Sequence, residues 1–243
     1  MKITLLATAA LLALTGMAQG QSATPDDDVM ELAIRTVPDQ EAWMAAAAPF
    51  GQLMSGETGI IANSEFMSIM GFAPVGADGQ PVKDVFVGMV QFDNEATRDA
   101  LIAKFLGADI PAEMTAYLAT IETIADPGSL RPFRDTPALD VANMVQPGQV
   151  LEIAVRDVSA LDFDAFDAKR AAFVNVLTAQ PGVLGEYEYR STDGKYYVGM
   201  TLYETGEAVQ AIFATPAVSQ GPEFGALMAE FPPMVSQFLV RIE

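Results

Sequence analysis

One strand-like string occurs twice in this chain, and it constrains the fold more than any other feature. Residues 29–35 read VMELAIR, and residues 150–156 read VLEIAVR. Four further pairs follow in the same order: residues 59–66 with 182–189, 78–79 with 193–194, 86–89 with 197–200, and 95–96 with 207–208. Strand-forming composition alone would give scattered matches, whereas an ordered series indicates an internal repeat. The sequence therefore predicts one structural unit that is used twice.

Each unit has the pattern of an alternating strand followed by a helix, a hairpin, a broken helical region and a last strand. Apolar residues at positions 30, 32 and 34 alternate with Glu31, Ala33 and Arg35, which is typical of a strand with one buried face. An Asp-Gly pair marks the hairpin tip in both copies. The last strands are expected at 129–134 and 235–242. This order, β-α-β-β-α-β, is that of a ferredoxin-like unit.

The predicted fold class is α+β, with the two ferredoxin-like units forming a dimeric barrel inside one chain. Each four-stranded sheet has helices on one face only, so its other apolar face must be buried by a partner. The expected boundaries are 29–134 for the first unit, 135–149 for a linker and 150–243 for the second unit. Joining the open faces closes a barrel, and such a barrel can hold a cavity between the two sheets. We expect a monomer with an internal pseudo-dimer.

The N-terminus has the pattern of a signal peptide. Lys2 precedes an uncharged, mostly apolar run at 3–14, which is too short to span a bilayer, and small residues follow at 15–20. We predict cleavage after residue 20, with Ala18 as the alternative end, and an acidic mobile tail at 21–28. The mature protein is then expected to be periplasmic or secreted, with no membrane span after cleavage.

The composition excludes several kinds of site. The chain has no Cys and no His, so a disulfide, a thiol nucleophile, a Cys/His zinc site, a histidine-ligated haem and a Ser-His-Asp triad are all excluded. Acid–base chemistry would fall to Asp, Glu, Tyr, Lys or Arg. The formal net charge of −19 disfavours nucleic acid as a partner. We expect neither a cofactor nor a metal site.

The second unit resembles the antibiotic-biosynthesis-monooxygenase-like (ABM-like) family of dimeric α+β barrels. The resemblance rests on the strand at 151–155, the Gln-Pro-Gly at 180–182 and the segment YETGEA at 203–208, which is similar to the family's Trp-Glu-Ser-x-Glu-Ala. A weaker form, FDNEA, stands at 92–96. The resemblance implies the barrel fold. The family includes cofactor-free oxygenases of electron-rich aromatic molecules, haem-degrading proteins and proteins without known activity.

Two departures from the family pattern bear on activity. Tyr203 and Phe92 stand where the family usually has Trp, and Ile212 stands where a His is common. The haem-ligating version of the chemistry is therefore not expected. The resemblance implies the fold and a ligand cavity rather than a particular reaction.

The first candidate site consists of two Glu-x-x-x-Arg pairs, Glu31 with Arg35 and Glu152 with Arg156. If their strand face lines the barrel, each pair places a carboxylate and a guanidinium in a partly dry cavity, where Arg could hold an anionic or phenolate-type ligand. The alternative is a structural ion-pair network, or charges at the open rim.

Other candidate ligand-binding residues are aromatic or amide side chains. Tyr197 and Tyr203 belong to a tyrosine-rich region that could form an aromatic cavity, although such residues are more often cross-strand packing pairs with hydroxyls at the edge. Phe92 is the counterpart of Tyr203 in the first unit. Asn63 could polarise a substrate carbonyl as an amide donor.

Three functions remain open on the sequence. The leading one is a non-catalytic protein that binds a small hydrophobic or aromatic ligand between the two sheets. The alternative is a cofactor-independent monooxygenase acting on phenolic or quinol substrates. The third is a structural or interaction module of the envelope, which predicts a packed barrel without a pocket of ligand size, about 300 Å³ or more.

Overall fold

The computed structural model describes residues 27–76, 79–134 and 136–242. The predicted signal peptide and residues 21–26 of the acidic tail lie outside these ranges, so cleavage and export stay predictions. No helix in the described ranges is long and apolar enough to cross a membrane.

The first half follows the predicted order, except that a pair of short strands replaces the expected last strand. Its elements are β1 (Val29–Thr36), α1 (Gln40–Ser55), β2 (Ile60–Ala73), β3 (Val85–Phe92), α2 (Glu95–Phe105), α3 (Ala112–Leu118), β4 (Glu122–Ala125) and β5 (Ser129–Pro132). Helix α1 begins after Asp39, whose side chain accepts hydrogen bonds from two backbone amides of the first turn. It continues through Pro49. Strands β4 and β5 both pair with β1.

The second half repeats this order. Its elements are β6 (Val150–Asp157), α4 (Phe163–Thr178), β7 (Val183–Ser191), β8 (Tyr196–Tyr203), α5 (Gly206–Ala214), α6 (Pro216–Ser219), α7 (Pro222–Glu230) and β9 (Val235–Arg241). The pairing register is also repeated, because Val29 of β1 lies opposite Phe92 of β3 and Val150 of β6 lies opposite Tyr203 of β8.

The strands close into one antiparallel barrel. Going round it, the order is β1, β3, β2, β9, β6, β8, β7 and β5, and β5 pairs with β1 again. The two halves join through β2 with β9 and through β5 with β7. The predicted fold class, an α+β pseudo-dimeric barrel within one chain, is confirmed.

The barrel interior is packed with aliphatic side chains from both halves. Its central layer is the apolar face of the two first strands, formed by Met30, Leu32, Ile34, Leu151, Ile153 and Val155, all fully buried. The condition set for the Glu-x-x-x-Arg pairs, that their face lines the barrel, is therefore not met. In a closed barrel the inner face is shielded from water, so it takes the apolar residues, and the charged face lies under the helices.

The segment predicted as a linker contributes to this interior. Leu139, Val141 and Val145 are buried within the barrel core. The amide of Gln91 donates to the carbonyl of Leu139 (3.1 Å) and to the carboxylate of Asp28 (2.8 Å). Asp28, expected to end a mobile tail, is thus buried and hydrogen-bonded. The chain between the halves is part of the fold.

Candidate functional site in the second half

A cavity of about 310 Å³ lies between the sheet and the helices of the second half. Its apolar walls come from α4, α5, α7 and one residue of β2, and they are formed mainly by Phe72, Phe173, Phe213, Phe224, Leu227 and Met228. The polar side chains that reach it from the sheet and α4 include Glu152, Arg156, Arg170 and Thr201. The cavity is therefore an aromatic pocket with a few convergent polar groups, the usual form of a small-molecule site.

The strand period places these polar groups on one face. Glu152 and Arg156 alternate along β6 with residues that point into the barrel, so both face the helices. Thr201 of β8 lies opposite Glu152 in the sheet and shares that face. The same alternation that fills the barrel thus delivers the charges to the cavity.

Glu152 is the carboxylate of the cavity. The hydroxyl of Tyr203 donates to it at 2.6 Å. Burial raises the pKa of the Glu152 carboxyl above its usual range, and Tyr203, Arg170 and Arg156 offset this only in part. Glu152 therefore takes up a proton more readily than an exposed glutamate.

Arg156 is a buried cation without an acidic partner. Its Nε donates to the carbonyl of Phe231 at 2.8 Å, and its guanidinium carbon lies 5.8 Å from the ring centre of Phe166. Burial, with repulsion from Arg170, lowers the pKa of Arg156 to about 10, so the group stays charged at neutral pH. None of the salt bridges in the described part of the chain includes Arg156.

Arg170 of α4 is the second buried cation. It forms a salt bridge with Glu186 of β7, which also accepts a hydrogen bond from Thr201. Its Nη1 is buried and has no hydrogen-bond partner. Gly199 of β8 leaves the room for this guanidinium, since a Cβ there would lie 2.8 Å from Nη2 of Arg170.

The sequence analysis missed Arg170, although its spacing from the aromatic residues of α4 indicates a buried position. It lies four residues after Phe166 and three before Phe173, on the helix face that the aromatic pattern marks as buried. A lone arginine on the buried face of a helix indicates a partner or a ligand beneath it.

In the first half each of the corresponding charges is paired with an opposite charge of the protein. Arg35 donates to Glu65 at 2.5 Å, and its guanidinium carbon lies 5.6 Å from the ring centre of Tyr117. Glu31 accepts a hydrogen bond from Arg98 of α2 at 2.9 Å. This half matches the structural ion-pair alternative.

The eight predicted site residues thus divide equally between the two halves. Three of them meet at the cavity, where Glu152 and Arg156 line it and Tyr203 bonds Glu152. Tyr197 packs edge-to-face on Phe166, with ring centres 4.9 Å apart, in the core beside it. The remaining four lie under the helices of the first half, namely Glu31, Arg35, Asn63 and Phe92.

Several solved structures are similar to this chain. An anthrone oxidase-like protein is 12% identical with a TM-score of 0.61, and the match covers 90% of this chain and 92% of that one. A candidate chlorite dismutase is 10% identical with a TM-score of 0.53, covering 89% and 94%. A candidate antibiotic biosynthesis monooxygenase from Nitrosomonas europaea is 15% identical with a TM-score of 0.34, covering 40% and 93%.

At such identities the likeness concerns the fold alone. For the fold, the resemblance to ABM-like dimeric α+β barrels is confirmed. No protein-family model and no curated protein sequence matches the chain.

Proposed function

We propose that this protein binds a small, flat aromatic molecule with an acidic hydroxyl in the cavity of the second half. The observation that carries the proposal is a cavity of about 310 Å³ with aromatic walls and one buried guanidinium, that of Arg156, which forms no salt bridge with a described carboxylate. An apolar pocket supplies affinity, and a buried cation selects a ligand with an oxygen that can bear negative charge.

The position and size of the cavity limit the ligand. The central layer of the barrel is filled by aliphatic side chains, so we place binding between the sheet and the helices rather than between the two sheets. The volume is at the lower end of the usual range for ligand pockets, about 300–1,000 Å³. We therefore expect a compact aromatic ligand.

A second candidate function, cofactor-independent oxidation of a phenolic or quinol substrate by O2, is supported by a further observation. Glu152 can take a proton inside the cavity, and the guanidiniums can stabilise the resulting anion. For a substrate with an activated methylene, that methylene and one molecule of O2 give a ketone carbonyl and one molecule of water, so the substrate supplies all the electrons. The name of one fold neighbour, anthrone oxidase-like, suggests anthrone as a probe.

Binding is tested by thermal shift and fluorescence titration with a panel of phenols, quinols and naphthols. We expect stabilisation of the wild-type chain, loss of binding in Ala154→Leu, which fills the cavity, and unchanged binding in Ala33→Leu, the matched position of the first half. If no compound in the panel stabilises the wild type, the proposal fails.

Oxidation is tested with an oxygen electrode in the presence of a metal chelator. Anthrone or a quinol should consume O2 faster with the wild type than with Ala154→Leu. An equal loss of substrate under anaerobic conditions would remove the oxidation proposal and leave the binding proposal in place.

We further propose that the chain is exported and monomeric. The support for export is the residue pattern of the first 20 positions. Mass determination of the mature N-terminus should place it shortly after Ala18 or Gly20, and light scattering should give the mass of one chain. An intact N-terminus in the cytoplasm would contradict export.

A further inference from the structure

We infer that the ligand enters as a neutral phenol and passes its proton to Glu152, which leaves a phenolate paired with the guanidiniums of Arg156 and Arg170. This inference rests on the proposed binding function and specifies its substrate class and proton acceptor. The O–H bond of the phenol breaks, a carboxyl O–H bond forms on Glu152, and no electron changes hands.

The charged side chains at the cavity differ in how they are paired. Arg170 is paired with Glu186, whereas Glu152 has only the hydroxyl of Tyr203 as a direct partner and Arg156 has only a backbone carbonyl. The two cations and two carboxylates therefore sum to zero when every group is ionised. A ligand that arrived as an anion would add an uncompensated charge to a site with apolar walls, which is costly.

A neutral phenol avoids that cost. Proton transfer moves the negative charge from Glu152 to the ligand oxygen and leaves the net charge of the site unchanged. The charge then lies on a group that the guanidiniums lining the cavity, those of Arg156 and Arg170, can pair with.

The groups around Glu152 agree with a role as proton acceptor. Its neighbours with charged or titratable side chains are Tyr203 on β8, Arg156 on β6 and Arg170 on α4. The cavity walls from α5 and α7 are apolar. Burial favours the neutral carboxylic acid, so Glu152 holds the transferred proton better than an exposed glutamate would.

The hydrogen-bonded pair of Glu152 and Tyr203 has no counterpart at the matching positions of the first half. Glu31 is bonded by Arg98, and Phe92, which corresponds to Tyr203, has no hydroxyl. Glu31→Gln therefore serves as a matched control for Glu152→Gln.

The test uses 4-nitrophenol, whose phenolate absorbs visible light and whose neutral form does not, with nitrobenzene as a non-ionisable partner. At a pH below the solution pKa of the probe, we expect wild-type protein and Glu31→Gln to bind the probe with the phenolate spectrum. Glu152→Gln keeps both guanidiniums but lacks the acceptor, so it should bind the phenolate only by releasing the proton to the solvent, and its affinity should rise about tenfold per pH unit below the pKa of the probe. The affinity of the wild type should stay level over this range, and an equal rise in both proteins would overturn the transfer to Glu152. Arg156→Met should bind the probe about tenfold more weakly.

Nitrobenzene has no proton to transfer, so its binding tests the proposed binding function separately from the proton transfer. Equal nitrobenzene binding by the wild type, Glu152→Gln and Arg156→Met shows that each variant is folded with its cavity intact. A wild-type complex with the neutral 4-nitrophenol spectrum would overturn the proton transfer while the binding function stands. Absence of binding by both probes would overturn both.

Discussion

The two halves share strand register and the Glu-x-x-x-Arg string, yet they use the space between sheet and helices differently. In the first half Arg35 pairs with Glu65 and lies under Tyr117. In the second half Arg156 faces a cavity, and no carboxylate among the described residues forms a salt bridge with it. The same backbone thus supports either a structural ion pair or a site, and side chains outside the repeated string decide which.

The two halves differ in which arginine packs against a glycine in the middle of the third strand of each unit. Gly88 and Gly199 occupy the same position of β3 and β8, opposite Ala33 and Ala154. Against Gly88 lies Arg35 of the sheet itself, whereas against Gly199 lies Arg170 of α4. Because α4 supplies that cation, Arg156 is free to line the cavity.

The largest expected effect comes from breaking the ion pair of the first half. Arg35→Met leaves the carboxylate of Glu65 without its partner and should lower the free energy of unfolding by about 3 kcal/mol. Arg156→Met should lower the free energy of unfolding by about 1 kcal/mol, since it leaves only the carbonyl of Phe231 without its hydrogen-bond donor. Urea denaturation of both variants measures the difference, and equal losses would contradict the distinction between the halves.

The central glycines give a matched pair with effects on different properties. A Cβ at position 88 would lie 2.9 Å from Nη1 of Arg35, so Gly88→Ala should lower stability by about 1–2 kcal/mol and leave phenol binding unchanged. Gly199→Ala should displace Arg170 and weaken phenol binding about tenfold. Denaturation and titration on both variants test this, and it fails if the two substitutions give the same profile.

The pH dependence of stability offers a smaller effect. Burial raises the pKa of Glu152 in the folded chain, so its folded form binds a proton more tightly than its unfolded form. This contribution to stability is complete below the ordinary glutamate pKa and is lost as pH rises through the folded pKa, by about 1.4 kcal/mol for each unit of difference. Glu152→Gln should therefore remove part of the fall in stability above pH ~4.5. Identical pH profiles of variant and wild type would count against it.

The smallest expected effect concerns Phe72, a residue of the first half that lines the cavity of the second half. Phe72 of β2 lines the cavity of the second half and packs edge-to-face on Phe238, with ring centres 5.8 Å apart. Because Phe72 is half exposed, Phe72→Ala should weaken aromatic binding only a few-fold, by about 1 kcal/mol or less. A complete loss of binding in a folded variant would contradict a minor role of Phe72 as a lining residue.

The repeat and the alternation along the strands were sufficient to predict the fold class. They could not predict which face of β1 and β6 lies inside the barrel, because an alternating strand with apolar and charged faces fits either side until closure excludes water from one of them. The barrel could therefore be predicted, and the cavity was expected on the wrong side of the sheet.

The site was only partly predictable for a related reason. Glu152 and Arg156 were visible because they repeat, and Tyr203 because of the family resemblance. Arg170 and Glu186 were missed, since their pairing joins α4 to β7 and depends on helix docking rather than on local pattern. The buried contribution of residues 139–145 was missed too, because a segment rich in turn residues looks like a linker until its few apolar side chains find the barrel core.

The central claim, one binding site per chain on the helix side of the second half, is tested most directly by a crystal structure with bound 4-bromophenol. The account predicts one anomalous bromine peak per chain, between β6, β8 and helices α4 and α7, with the phenol oxygen near Glu152 and Arg156. A peak within the barrel, or an equivalent peak beside Arg35 in the first half, would contradict it.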